Sequence, residues 1–462
     1  MKEGYNRFSK KGQNYLMRAP EGLVFVAAPR FIEEIRSASD DALSAMAINN
    51  STLQVKYTLH PALLEDWYEF DVVRKQLTQT LGASLPEIVD ECRMAFSKEL
   101  GSPADFAPSL MWPIACHIVT RTTNRLLFGS RLAADEDFLR LSVDYTYTVF
   151  GGAHVIRAWP AFLRPLVLRL RTGVVEQSAI AKKFLAPELR ARIQRMRDAA
   201  AAGRTAEFEK EKPNDAIQWV LDITPANKLD DVDILVYRML HLSISAIHTS
   251  SSSFADAIYD LALHPDIHDE LCEEIKTVLT EEGGWNKQAL TRMIKMDSFM
   301  KESARWHPFL AGSIERLAMR DFPLSDGTVI TKGTKVTVPH YAMYFDEAVY
   351  GPTAADFDAF RFSKRRTQPG QETKHSFVQC TPDFTHFGYG KHACPGRFFA
   401  ANEIKVLLVY ALAVYDIRYA KAKPQPTPFW IGGFRTLDQS VSIEWKRRET
   451  PLVSLEQLEC RV

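Results

Sequence analysis

Cys394 is the residue of this sequence with the most chemistry available to it. It stands in "HFGYGKHACPGRFFAANE", residues 386–403, where glycines, two histidines and a proline surround one cysteine just before a smooth helical pattern begins. Gly388 and Gly390 remove side chains where a flat ligand or a neighbouring backbone approaches, and Pro395 suits the first residue of a helix. A cysteine at a helix start meets N–H groups without intrahelical partners and the positive end of the dipole, and both favour a thiolate. A thiolate is a nucleophile or a metal ligand. A free cysteine is also, commonly, a small buried hydrophobe. Two further chemistries draw on the same residues. Cys380, His386, His392 and Cys394 have the ligand types of a zinc site, with irregular spacing and glycines left unexplained. Cys394 and His392 have the types of a hydrolase pair, with no orienting acid.

Two other stretches carry polar groups where a plain helix would not. "MDSFMKESARWHP" sets Glu302 and Arg305 three apart on one helical face, the spacing of a close ion pair and equally of a solvated surface pair. "HTSSSS", His248 to Ser253, places hydroxyls in a mainly apolar helix. Serine and threonine there compete for backbone carbonyls, which predicts a polar notch in the core.

These groups need a large scaffold, and the composition supplies one. The chain has 462 residues, 46% hydrophobic, without repeats or low-complexity tracts. Lys plus Arg and Asp plus Glu number 57 each, so no bulk field recruits nucleic acid. The six cysteines show no CxxC and no dense framework, which predicts reduced thiols in a cytosol-facing protein. No stretch has the length of a membrane span. "VFGGAHVIRAWPAFLRPLVLRL", from Val149, reads either as a segment lying in a membrane interface or as a Pro-kinked core helix pair. The rest is mostly helix. "EGLVFVAA" after Pro20 reads as a strand of a small hairpin, helices from Ala62 to Phe96 break near Gly82 and Pro86, and residues 230–265 form one long helical pattern closed by His264 and Pro265. "LSDGTVITKGTKVTV" alternates as a strand pair.

With these pieces in order, the sequence resembles the cytochrome P450 family. "FGYGKHACPGRFFAANE" matches that family's cysteine-ligand signature at Phe387, Gly390, Cys394, Gly396, Ala400 and Glu403. "ESAR" resembles its ExxR element, Arg361 in "DAFRF" stands where its third partner arginine is found, and "SAIHTS" resembles its oxygen-activating centre, with Thr249 at the family threonine. Local features look most like filamentous-fungal enzymes of secondary metabolism, the group with ent-kaurene oxidase-like and steroid-hydroxylating members. The resemblance implies a mainly α fold: a long central helix over haem b, small sheets near the N-terminus and in the C-terminal half, and one catalytic domain over 1–462.

It also implies roles. Cys394 becomes the axial iron ligand, with Gly390 and Gly396 shaping its loop and Phe387 shielding the sulfur. His392 meets one haem propionate or makes a simple loop hydrogen bond. Arg74 and Lys75 meet the other propionate or form a helix-surface pair. Glu302, Arg305 and Arg361 become a buried triad that holds the ligand loop. Thr249 organises proton delivery, and His248, where the family commonly has an acid, either relays protons or packs in the core. The pocket falls among Phe150, Ala246, Phe309, Leu310, Phe429 and Trp430, apolar walls suited to a bulky terpenoid, steroid or alkaloid. Dioxygen and NADPH-derived electrons would oxidise that substrate, with NADPH-cytochrome P450 reductase and cytochrome b5 as electron partners. Oxidative coupling, ring formation and isomerisation are the alternative reactions of such an enzyme, and a haem-binding sensor or carrier without turnover is an alternative of another class. Such enzymes begin with a membrane-anchoring helix, so the expectation is a chain lacking its anchor, whose full-length form sits on the cytosolic face of the endoplasmic reticulum membrane.

Overall fold

A single helix, Val232–Leu263, organises the molecule. The Asp231 carboxylate caps it by accepting the Ile234 N–H at 3.2 Å, and it ends before Pro265, which cannot continue the ladder. Most of its side chains are buried, because long helices pack on several of its sides: Met111–Ala133, Glu136–Arg157, Val174–Ala201, Ile294–Trp306 and Arg397–Val414. The computed structural model describes residues 1–19, 22–420, 427–454, 456–458 and 460. Within them the chain is mainly helical, with small separate sheets, as the resemblance implied.

The largest sheet runs in the order Tyr15–Ala19, Gly22–Val26, Lys335–Val338, Ser313–Ala318, Leu43–Ser44. The expected hairpin strand is its second member, and Pro20 and Glu21 between the first two strands lie outside the described residues. This sheet builds a smaller core of its own around Phe25, Phe31, Ile35, Leu43, Ile314 and Val336. The stretch expected to form one strand pair divides instead: Phe322–Pro323 pairs with Val329–Ile330, while Lys335–Val338 runs parallel to Gly22–Val26.

The helix break expected near Gly82 and Pro86 is elsewhere. Thr78–Glu99 is one helix that contains both residues, and the irregular turn precedes it as a π-helical segment, Val73–Leu77. The two breakers stand four apart, so the N–H that Pro86 lacks is the one whose acceptor would be the Gly82 carbonyl. One rung is lost and the helix survives on packing. Around residue 149 the chain is a kinked pair, Glu136–Arg157 followed by Arg164–Arg171. Its outer side stays apolar and open, with Phe162 80% and Leu170 71% exposed. Among the described residues no helix is long and apolar enough to cross a membrane.

Candidate functional site

The cysteine loop is built by two left-handed glycines. Gly388 and Gly390 have φ of +74° and +77°, which other residues adopt only with strain, and a Cβ on Gly390 would lie 3.2 Å from Arg36 Cδ. The turn they make brings the Cys394 N–H to the Phe387 carbonyl at 2.7 Å and the Ala393 N–H to the Gly390 carbonyl at 3.0 Å. Phe387 is held by Phe377, with ring centroids 5.0 Å apart, and by His386 at 4.8 Å. The helix starts at Arg397 with Gly396 as its cap, so Pro395 precedes the cap instead of opening the helix. Gly396 has ordinary φ, and a Cβ there would touch Val73 at 3.6 Å and the Cys394 sulfur at 4.0 Å.

The half-buried Cys394 thiol is pushed up by burial, while the Gly396 N–H, the Arg397 charge and the Arg397 N–H pull it down. Burial wins. The helix start alone does not make a thiolate here; a cation bound at the sulfur would deprotonate it outright.

The helix that follows is tied to Met111–Ala133 through Glu403. Thr122 and Thr123 hydroxyls donate to its Oε1 at 2.8 and 2.7 Å, and burial pushes the carboxyl up to about 7 against the pull of Thr123, Thr122 and Ser250.

Glu302, Arg305 and Arg361 come together in the core. Arg305 donates to the Glu302 carboxylate from Nε at 2.8 Å and Nη2 at 2.7 Å, and Arg361 Nε reaches both oxygens at 3.2 Å. The solvated-pair reading fails, since the Glu302 and Arg305 side chains are 0% exposed. The triad's remaining donors go to the carbonyls of Thr353, Ala354, Asp356 and Tyr344 and to the Thr353 hydroxyl, so it grips residues 344–358 and not the cysteine loop itself. The loop is held one layer further on. Tyr344 stacks on Phe384 at 5.6 Å, and the Tyr350 hydroxyl donates to the Asp383 carbonyl at 2.8 Å.

On the central helix, successive residues point about 100° apart, and this separates His248 from Thr249. Ser245 and Thr249, one turn apart, are exposed in the middle of an otherwise buried helix. The Thr249 hydroxyl donates to the Ser245 carbonyl at 3.0 Å. His248 turns to the neighbouring helix, where its Nε2–H donates to the Val143 carbonyl at 3.0 Å and its ring meets Tyr147 edge-on at 4.4 Å. Burial lowers its pKa. Of the two roles open to His248, this geometry is that of packing.

Beside the cysteine loop lies a cavity of about 190 Å³, lined among others by Phe309, Leu310, Arg316, His340, His386 and His392. Arg316 was not anticipated from sequence. It is 3% exposed, its Nε and Nη2 find no acceptor within the described protein, and burial lowers its pKa to about 10. Its Nη1 donates to the Glu315 carbonyl at 2.9 Å, and a buried guanidinium with two nitrogens unanswered calls for an anion. Its signal was an arginine at an inward position of Ser313–Ala318, in "SIERLA". His392 lines the same cavity, but its Nε2 is bound by Asp40 at 2.7 Å, so any carboxylate would share it. Arg74 and Lys75 are exposed on the π segment, and Arg74 pairs with Asp71 at 3.1 Å, which is the surface reading of that pair. Fitted against haem, the residues present agree in chemistry: the Cys394 sulfur in the loop beside the cavity, a buried guanidinium in its wall for a carboxylate edge, and an open threonine on the helix that packs on the one following Cys394. The zinc reading fails, for among the described residues no group of three or more His, Cys, Asp or Glu is arranged to hold a metal ion.

Phe309 and Leu310 line the cavity, Ala246 is half-buried, and Phe150 meets Phe434 at 6.5 Å. Trp430 leaves this group. It pairs across the Phe429–Ile431/Phe434–Thr436 hairpin with Arg435 and stacks on Tyr341 at 5.0 Å, so strand alternation puts Phe434, and not Trp430, on the Phe150 side. Phe429 shares the face of Phe434 and is half exposed.

Acid should loosen the cavity wall. Burial pushes His340 and His386 down to about 3, so both stay neutral when folded and take up protons on unfolding. Stability should therefore fall as pH drops below the ordinary histidine value of 6.5, and continue to fall toward about 3. Melting temperature against pH, in the native chain and in His340→Asn, reads this; a flat profile in the native chain contradicts it.

The sequence model of the cytochrome P450 family matches residues 3–444. Cytochrome P450 monooxygenase AN1598 of Emericella nidulans is 34% identical over 92% of this chain and 78% of its own length. Cytochrome P450 monooxygenase olcJ of Penicillium canescens is 33% identical over 96% of this chain and 85% of its own, and cytochrome P450 monooxygenase bsc2 of Alternaria brassicicola 31% over 93% and 81%.

Proposed function

This chain belongs to the cytochrome P450 family of monooxygenases, and on that premise we propose that it oxidises a bulky, low-charge natural product of fungal secondary metabolism, a terpenoid, steroid or alkaloid, using dioxygen and NADPH-derived electrons. The observation that carries this reading is Thr249, open in the middle of a buried helix that packs on the helix following Cys394. Cys394 would hold the iron of haem b, with the Gly396 and Arg397 N–H groups tempering the sulfur's charge, and Arg316 would hold a propionate with His392 beside it. When bound, the group supplies thiolate-ligated iron, whose electron density favours O–O cleavage.

The chain's own residues do the rest. Thr249 keeps a hydroxyl oxygen free to hold a water for proton transfer, while Ala246, Phe309, Leu310, Phe150 and Phe434 exclude bulk water and select an apolar body. Residues 1–462 act as one catalytic domain. NADPH-cytochrome P450 reductase, with cytochrome b5 as a second donor, would meet the side where Val73 faces Gly396 and Arg74 and Lys75 are exposed. The open apolar side of residues 162–170, edged by Arg164, Arg169 and Arg171, suits the endoplasmic reticulum surface.

Thr249→Ala should bind haem and substrate but release reducing equivalents as hydrogen peroxide, with product per NADPH falling by roughly tenfold or more. His248→Ala should leave product per NADPH unchanged and lower the melting temperature, and His248→Glu should be worse because it buries an unpaired charge. NADPH, peroxide and product, measured with a reductase supplied, separate these results. Unchanged coupling in Thr249→Ala would remove this threonine from proton delivery and favour the coupling, ring-forming or isomerising chemistry.

A further inference from the structure

Two and three turns beyond Thr249, the central helix buries two carboxylates that the proposed reaction does not use. Asp256 and Asp260 are 3% and 2% exposed. His307, at the end of Ile294–Trp306, donates from Nε2 to Asp260 at 2.9 Å and places Nδ1 4.0 Å from Asp256. Arg435, from the hairpin strand Phe434–Thr436, closes the cluster with an ion pair to Asp256 in which both side chains are almost fully buried. Charge accounting explains the four together. Burial lowers the His307 pKa, but Asp260 and Asp256 raise it further, so the net shift is upward; burial pushes the Asp256 carboxyl up, against the pull of Arg435 and His307. Groups of opposite sign brought together are what a dry site tolerates.

Arg435 also holds the segment before it. Its Nε and Nη2 donate to the Pro308 and His307 carbonyls at 3.3 and 3.4 Å, and its backbone N–H donates to the Phe309 carbonyl at 2.8 Å. The Ala311 N–H donates to the Gly433 carbonyl at 2.8 Å, and Leu310 pairs with Phe434. The hairpin's other face has little to hold it: Phe429, Ile431 and Phe434 are 52%, 55% and 40% exposed. A two-stranded hairpin is marginal by itself. This one carries wall residues of the proposed pocket and is tied to the central helix through Arg435.

We propose that Arg435, through its buried pair with Asp256, is a positioning residue for substrate selection: it fixes the hairpin and the Phe309–Leu310 segment against the central helix and so sets the width of the pocket. The proposal rests on the pocket assigned above. Asp256→Asn with Arg435→Gln removes both charges at once and leaves a neutral pair able to hydrogen bond, which keeps the site from holding an unpaired charge. In the haem-loaded full chain, amide hydrogen exchange at residues 429–436 should quicken by about tenfold or more. The affinity ratio of tritylimidazole to imidazole, read by haem absorbance, should rise by about tenfold as the wall yields to bulk, while imidazole binds as before. If the double variant takes up no haem, Arg435→Lys, which keeps the cation but lacks the fork, is read by the same two measurements and expected to shift in the same direction. Unchanged exchange together with an unchanged ratio overturns the proposal. Failure of imidazole to perturb the native protein's absorbance would instead overturn the haem assignment beneath it.

Discussion

Cys394→Ala is expected to abolish the thiolate-haem absorbance of the dithionite-reduced carbon monoxide complex, and Cys380→Ala to retain it. The six thiols are not equivalent. Cys92 and Cys116 lie in the core, 0% and 2% exposed, and burial raises both pKa values, the Cys116 thiol to about 12. Cys272 and Cys460 have thiols that burial also raises, the latter to about 12, and neither belongs to the glycine loop. Cys380 is the serious rival, because its sulfur lies 4.0 Å from the Phe387 carbonyl that also accepts the Cys394 N–H. Its contacts, though, are carbonyl oxygens, Val378 at 3.7 Å and Phe387, which repel a thiolate. Cys394 instead meets the N–H groups of Gly396 and Arg397, donors that a bound thiolate keeps. Since burial holds the free Cys394 thiol above its ordinary value, ligation should also release a proton, so haem uptake should weaken as pH falls. Iron content and the reduced difference spectrum of both variants decide the matter; retention of the band in Cys394→Ala and its loss in Cys380→Ala would move the ligand to Cys380.

The parts of this site legible in sequence are those whose partners are close along the chain. The loop from Phe387 to Gly396 folds through its own glycines and hydrogen bonds, so its spacing states its shape. Glu302 and Arg305 meet because three residues on a helix are neighbours. Arg316 was missed because nothing within the described chain answers its buried Nε and Nη2; their partner would be a ligand, and sequence periodicity records only that the position faces inward. His248 was undecided for another reason. One residue of helix changes its direction by about 100°, and which direction faces the cavity depends on where the neighbouring helix Glu136–Arg157 lies. Trp430 and Phe434 exchanged places by the same logic with a strand's period of two. The break assigned to Gly82 and Pro86 was a propensity argument that packing overrode.

Glu302→Ala is expected to yield little haem-loaded protein and to lower the melting temperature by several degrees in whatever fraction folds. Among the described residues Glu302 is the one carboxylate bonded to Arg305 or Arg361, and it also accepts the Asp358 N–H at 3.0 Å. Taking it away leaves two guanidinium groups buried among carbonyl oxygens, with no counter-charge among the described residues. Removing one partner of a buried pair costs about 3–5 kcal/mol, far more than the surface ion pair that the sequence alone allowed, at roughly 0–1. The damage should travel in a particular order. The Arg305 forks hold the Tyr344, Ala354 and Asp356 carbonyls, Tyr344 carries Phe384, and Phe384 abuts His386 at the base of the cysteine loop. Haem retention should therefore fail before the helical core does. Glu302→Gln keeps the shape and one acceptor, so it should fall between Ala and the native chain. Arg305→Lys should resemble Glu302→Ala, because one ammonium cannot span a carboxylate and three carbonyls. Haem per chain and thermal melting of the three variants test this ordering. Full haem content with unshifted melting in Glu302→Ala would mean that the triad is dispensable and that the loop is held from its other side, where Ser313, His340 and Thr385 share hydrogen bonds at 2.7 and 2.5 Å.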